Sequence, residues 1–315
     1  MAGAIAITGA NGFVGRALCT SLRAQGRTVV PLVRTAERSP PDGARVVGDI
    51  GPDTPWSDAL KGVDCVVHCA ARVHVMHDED PDPPGAFRRV NVDGTRALAV
   101  AAAAAGVRRL VFVSSLKVHG EQTFPGAPFH AKSVPAPQDA YGQSKWEAEQ
   151  ALWAVAATTG LEIVVVRPPL VYGPGAKANF LRLMQWVARG LPLPLGGIHN
   201  RRSLLALGNL TDLLQICIDH TAAAGQTLLA SDDHDMSTPE LIRGLAAAMG
   251  RPARLLPVPV SWLRLAGRLT GQTPQIERLT GSLQVDIGHT REVLSWTPPW
   301  TVQQGLKLTV QDVKG

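Results

Sequence analysis

Ser115, Tyr141 and Lys145 have the types and spacing to move a proton at a carbonyl or alcohol oxygen. Tyr141 and Lys145 stand four residues apart in a stretch, 141–152, that reads as helix, so both fall on one face. A free tyrosine has a pKa of about 10 and exchanges protons poorly at neutral pH unless a cation stabilises its phenolate. Lys145 is one turn away and expected to supply that cation, with Ser115 holding the substrate oxygen against the phenol. Tyr-Lys pairs are common in helices, and this one draws its meaning from position. Ser114 and Ser115 close the β-type run 109–115, and in open parallel sheets ligands sit at that C-terminal edge.

The elements that must hold these side chains begin at the N-terminus. An apolar run, 5–7, leads into Thr8, Gly9, Ala10, Asn11, Gly12, Phe13, Val14 and Gly15, and then into a helical-looking stretch, 16–22. In such a turn Gly9 serves the tight bend, Gly12 the approach of a pyrophosphate, and Gly15 the close packing of helix on strand. The helix start offers N–H groups to an anion. The spacing is G-x-x-G-x-x-G rather than G-x-G-x-x-G, so the strand before and the helix after carry the dinucleotide reading. Runs 28–33, 44–50, 63–71 and 161–166 read as further strands, and 88–105 and 178–189 as helices. Strand-like 203–207 and helical 209–220 are expected to return to the first domain. Arg34 ends the second strand, 19 residues beyond Gly15. A carboxylate there would hold the ribose of NAD, and an arginine accommodates the extra phosphate of NADP, so NADP(H) is expected, with NAD(H) as the alternative. The pattern predicts an α/β chain with a doubly wound parallel sheet and a smaller C-terminal substrate domain. Residues 1–168 plus about 203–230 form the first domain, about 169–202 plus 231–315 the second.

Composition narrows the classes. Hydrophobic residues make up 45% of the 315 positions and charged residues 18%, which excludes disorder, and no apolar run reaches bilayer length. The first strand begins at once, leaving no room for a leader, so a cytoplasmic location is expected. Cys19, Cys65, Cys69 and Cys217 lie in apolar surroundings without a CxxC pair and read as reduced thiols. His74, His77, Asp78, Glu79, Asp80 and Asp82 fall in a proline-broken stretch that matches no metal spacing; no metal is expected. The net charge of +5 is dispersed, which favours an anionic small ligand over nucleic acid. The basic amphipathic run 262–269 reads as a domain-packing helix, with a membrane-surface role as the alternative.

Taken together, the turn 8–15, Gly48-Asp49-Ile50, His68-Cys69-Ala70-Ala71, Asn91-Val92-Asp93-Gly94-Thr95, the run 113–120, Tyr141 to Lys145, the run 167–174 and Leu294-Ser295-Trp296-Thr297-Pro298 form an ordered set running nearly end to end. The chain resembles the extended short-chain dehydrogenase/reductase superfamily in its NAD-dependent epimerase/dehydratase branch. That resemblance implies a Rossmann fold in which Gly9, Gly12, Phe13, Val14 and Gly15 line the pyrophosphate, Asp49 and Ile50 the adenine, Ala70 and Ala71 the ribose side, and Pro168 the nicotinamide. Ser115, Tyr141 and Lys145 match the catalytic trio, the last two also touching the cofactor. Lys117, Asn179, Arg202 and Arg278 are the implied contacts to a UDP-sugar.

Several departures narrow the reaction. Leu116 and Lys117 replace the Asp-Glu pair of the 4,6-dehydratases, and Leu170 stands where many epimerases carry asparagine. Segments 115–121, 177–183 and 193–203 look most like reductases of UDP-4-keto-6-deoxy-N-acetylhexosamine. The implied activity is NAD(P)H-dependent reduction of that C4 ketone for surface polysaccharide. The alternatives are a UDP-hexose 4-epimerase with retained NAD and a non-catalytic dinucleotide sensor. A homodimer, the sugar and the C4 stereochemistry stay open.

Overall fold

Short runs of Val, Ile and Leu, each closed by a glycine or polar turn, become strands because β-branched side chains suit a sheet buried on both faces. The structure is a computed structural model that describes residues 3–35, 41–73, 80–124, 126–176 and 178–311. The order begins β1 (Ala4–Thr8), α1 (Phe13–Ala24), β2 (Val29–Val33), β3 (Arg45–Val46), α2 (Trp56–Ala59) and β4 (Val63–His68). A continuous helical run follows: α3 (Pro83–Phe87), a π-helical stretch (Arg88–Asp93) and α4 (Gly94–Ala104). Next come β5 (Arg109–Val113), α5 (Ala140–Thr159), β6 (Glu162–Arg167), β7 (Leu170–Tyr172), α6 (Ala178–Ala188), β8 (Leu204–Ala206), α7 (Leu207–Asp219) and β9 (Thr227–Leu229). The chain closes with α8 (Thr238–Ala248), α9 (Val260–Leu269), α10 (Thr273–Thr280), α11 (Gly288–Leu294) and α12 (Val302–Gln311).

The central sheet runs β3-β2-β1-β4-β5-β6-β9, with every pairing parallel. Strand order reverses between β1 and β4, where a doubly wound sheet opens its crevice. Alternation along the strands divides the core: Ile5, Ile7, Val67 and Val164 pack on one face with Leu18 of α1 and Leu210 of α7. Ala6, Val66, Ile163 and Val165 pack on the other with Leu98 of α4 and Leu152 of α5. A third cluster gathers Phe180, Met184, Leu195, Ile242 and Leu306.

The structure departs from the sequence reading at several elements. The run 44–50 is strand only at Arg45–Val46. Residues 204–206 pair with β7 in a separate two-stranded parallel sheet, while β9, unforeseen, adds the outer strand of the main one. Helix α1 starts at Phe13, inside the glycine turn. The helical run expected from 88 starts at Pro83, where Asp82 accepts the Gly85 N–H at 3.1 Å. Val285, Ile287, Leu294 and Trp296 enter the same core as β1. Helix α9 buries only Leu263 and Gly267, so the packing expected of it holds for one face alone. His74, His77, Asp78 and Glu79 lie outside the described residues.

Candidate functional site

The glycine turn builds a concavity from backbone. Gly9 adopts φ 63°, a left-handed conformation that its missing Cβ allows. A Cβ on Gly15 would lie 2.3 Å from the Gly9 carbonyl oxygen, so α1 approaches the turn more closely than any side chain permits. Gly12 donates its N–H to the Gly9 oxygen at 2.8 Å and caps α1 without a side-chain hydrogen bond. Its exposed position, the half-buried Phe13 and Val14, and the uncapped start of α1 leave a cradle for an anion. Asn11 Oδ1, buried beside it, has no partner among the described residues. Beyond β2 and β3, exposed Arg34 and Asp49 pair at 3.7 Å. Ile50 packs so closely on Gly94 that a Cβ there would come within 2.5 Å.

The proton-transfer group assembles at the C-terminal edge of β5 and β6. Ser115, just past β5, sits close enough to the Tyr141 hydroxyl to act on its proton affinity, and accepts the Lys117 N–H at 3.2 Å. Pro168, just past β6, accepts the Leu116 N–H at 2.9 Å. Asp139 starts α5 by accepting the Gly142 N–H at 2.7 Å, which sets where Tyr141 emerges. The Tyr141 ring packs edge-on against Phe87 of α3, centroids 6.3 Å apart. Lys145, one turn on, is buried with Nζ 4.0 Å from the centre of the Phe112 ring. Ala70, at the end of β4, donates its N–H to Thr8 Oγ1 at 3.1 Å, and Ala71 follows it, half-buried.

Burial sets the proton affinities here. It pushes the Tyr141 phenol up to about 12, Asp139 adding to the rise and the Ser115 hydroxyl opposing it. It pushes Lys145 down to about 7 against the opposing pull of Glu149 and Cys69. In this cofactor-free protein the ammonium lies over Phe112, and burial is the largest influence on the phenol. His68, between Thr8 Oγ1 at 2.6 Å and Thr95 Oγ1 at 3.0 Å, is pushed down to about 3 by burial and by Lys145.

Of the residues expected to touch substrate, Lys117 lies against the carboxylate that caps α5. Lys117 Nζ is engaged by Glu121 at 2.7 Å and by Asp139. Arg202 donates to the carbonyls of Arg278 and Gly281 at 2.8 and 3.1 Å, with Glu121 acting on its charge. Arg278 is exposed on α10. Asn179 stands in the first turn of α6, its side chain outside what is described.

Sequence reasoning passed over three supports of this site. Asn91, in the π-helical stretch, donates to Ser144 Oγ at 2.9 Å and brackets the Arg72 backbone at 2.8 and 3.0 Å, tying α5 to the loop after β4. Asp139 was legible as a capping carboxylate three residues before Gly142. Glu149, four residues after Lys145, is paired inside the protein with Arg167 and Ser114, and Arg167 reaches His119 Nε2 at 2.8 Å. No local pattern announces that last pairing.

The model of the NAD dependent epimerase/dehydratase family matches residues 5–227. The chain belongs to that family. This makes it an enzyme of the extended short-chain dehydrogenase/reductase type. A UDP-glucose 4-epimerase of Vibrio cholerae is 48% identical over 98% of this chain and 94% of its own length. A ceramide reductase of Caulobacter vibrioides is 32% identical over 94% of this chain and 86% of its own. Among solved structures, MoeE5 in complex with UDP-glucose and NAD is 26% identical, with a TM-score of 0.76 covering 99% of both chains.

Proposed function

We propose that this enzyme inverts C4 of a UDP-linked hexose with a retained NAD. The reading is carried by the Ser115–Tyr141 hydroxyl pair at the sheet edge, in a chain 48% identical over nearly its full length to a UDP-glucose 4-epimerase. The glycine cradle fits a dinucleotide: Gly9, Gly12, Phe13, Val14 and Gly15 would hold the pyrophosphate, Asp49 and Ile50 the adenine, Ala70, Ala71 and Lys145 the ribose side, and Pro168 the nicotinamide. Asp49 offsets the charge of Arg34, which supports NAD in place of the NADP(H) suggested by Arg34 alone.

When bound, the cofactor supplies a hydride acceptor and donor at the sugar carbon and a positive charge near the phenol. As its phenolate, Tyr141 takes the C4 hydroxyl proton while Ser115 holds the oxygen, and the phenol so formed returns the proton after the 4-keto sugar has turned over in the cleft. Lys145 lowers the cost of the phenolate once anionic phosphate and ribose hydroxyls restore its own charge. Lys117, Asn179, Arg202 and Arg278 hold the diphosphate end, Arg202 by its forked donors. In this proposal residues 169–202 and 231–315 hold substrate, residues 1–168 and 203–230 hold cofactor, and the reaction is cytoplasmic.

Reduction of a UDP-4-keto-6-deoxy-N-acetylhexosamine is the second reading, supported by exposed Leu170 at the start of β7 in the place of the epimerase asparagine. One assay separates the two. The epimerase forms UDP-galactose from UDP-glucose without net change in reduced nicotinamide and releases NAD on denaturation. The reductase consumes NADPH in proportion to added ketone, and the absence of both activities discards both readings. Tyr141→Phe is expected to lower turnover by about 10²–10⁴ with NAD binding kept, and unchanged turnover would refute the proton-transfer role.

A further inference from the structure

Helix α9 presents an apolar stripe to solvent. Trp262, Leu265 and Leu269 are 70, 55 and 79% exposed. With exposed Ala266 they recur at i, i+3, i+4 and i+7, a single helical face turned away from the buried Leu263 and Gly267. Arg264 and Arg268 border the stripe, and both are exposed. The apolar surface continues next door. Leu256, just before α9, is exposed, as are Trp186 and Leu191 at the end of α6. The two segments run side by side: the Leu193 N–H donates to the Arg254 oxygen at 2.8 Å and the Leu256 N–H to the Leu193 oxygen at 2.9 Å.

Charge says what covers this face. Residues 178–202 and 250–281 carry nine arginines against the single carboxylate of Glu277, a net +8 in a chain whose total is +5, leaving −3 on everything else. The two segments that bear the exposed apolar residues are thus the strongly positive part of the chain, with Arg264 and Arg268 on α9 itself. Two copies meeting through this face would bring like charges together. An anionic bilayer attracts the arginines, accepts Leu265 and Leu269 into its outer hydrocarbon, and suits Trp262 at headgroup depth. Bilayer crossing is not involved, since no helix among the described residues is long and apolar enough for it.

We propose that α9 and the adjoining end of α6 form a docking surface for an anionic phospholipid membrane, on which the protein rests peripherally. Helix α9 packs directly on α10, where a Cβ on Gly267 would come within 2.9 Å of Ile276, and α10 carries Arg278, whose carbonyl Arg202 holds. Docking therefore places the membrane beside the arginine-lined end of the candidate site. The surface stands independently of which sugar the enzyme handles.

The test is co-sedimentation of the full chain with vesicles of phosphatidylcholine alone and with roughly one-third phosphatidylglycerol, at low and high salt. At low salt, binding to the anionic vesicles is expected to exceed that to neutral ones by about tenfold or more and to weaken as salt rises. The triple variant Trp262→Ser, Leu265→Ser, Leu269→Ser loses it with melting temperature unchanged, and Arg264→Gln with Arg268→Gln weakens it. Absence of binding by the unaltered chain, or equal binding by the triple variant, overturns the proposal. So does a dimer in light scattering that the triple variant converts to monomer, which assigns the face to a second copy.

Discussion

Lys145 and Tyr141 show how burial governs a residue's chemistry before any ligand arrives. The lysine binds protons less tightly folded, at about 7, than its ordinary 10.5. Between those values the unfolded chain holds more protons, so stability rises with pH across that window, and the cost of the buried ammonium is fully present below it. Each tenfold change in proton affinity is worth about 1.4 kcal/mol. Lys145→Met is therefore expected to stabilise the cofactor-free protein at pH 6 by about 1–3 kcal/mol in urea unfolding, after the lost contact with Phe112 is deducted. The gain fades toward pH 10. No gain at pH 6 would show that the ammonium is already solvated in the free protein.

At the scale of elements, the first turn is held by contacts between backbones rather than between side chains. A methyl on Gly15 meets the Gly9 oxygen at 2.3 Å and the Gly9 carbonyl carbon at 2.8 Å, and neither can swing aside as a side-chain tip would. Gly15→Ala is expected to cost about 1–3 kcal/mol in thermal or urea unfolding, through forced separation of α1 from the turn. It should also abolish NAD binding in calorimetry. Gly12→Ala meets only the Gly9 oxygen, at 3.0 Å, and should disturb folding less while still hindering a pyrophosphate. Equal effects of the two changes on stability would contradict this division of labour. The spacing of these glycines was readable in the sequence because each serves its own local neighbourhood. The start of α1 at Phe13 was not, because Gly12 caps the helix with no side chain to mark it.

Across the whole molecule, Asp232 joins parts distant in the chain. Its carboxylate accepts the Tyr172 hydroxyl at 2.7 Å, the Ala206 N–H at 2.8 Å and the Asn209 side-chain amide at 2.7 Å, linking both strands of the small sheet to α7. The Asn209 amide also reaches the Trp300 carbonyl near α12 at 2.9 Å. Asp232→Ala strands buried donors, each costing about 1–3 kcal/mol, so a loss of at least about 3 kcal/mol is expected in urea unfolding. Tyr172→Phe should cost about 1 kcal/mol. A small loss for Asp232→Ala would mean that water replaces the carboxylate and that the small sheet is not held from this point.

The sequence alone determined the features that rest on near neighbours: the alternation of strands and helices, the glycine turn, and the four-residue spacing that puts Tyr141 and Lys145 on one face of α5. It also placed Ser115 at a strand's C-terminal end, and the parallel sheet brings that end to the phenol. Tertiary structure decided what depends on partners remote in the chain. β8 found β7 rather than the main sheet, Glu149 found Arg167, and Lys145 settled over Phe112 with its charge weakened by burial. The same holds for α9, whose periodicity describes an amphipathic helix equally well whether its apolar side meets protein or solvent. Only the three-dimensional packing, which spends Leu263 and Gly267 on the interior, left Trp262, Leu265 and Leu269 outside.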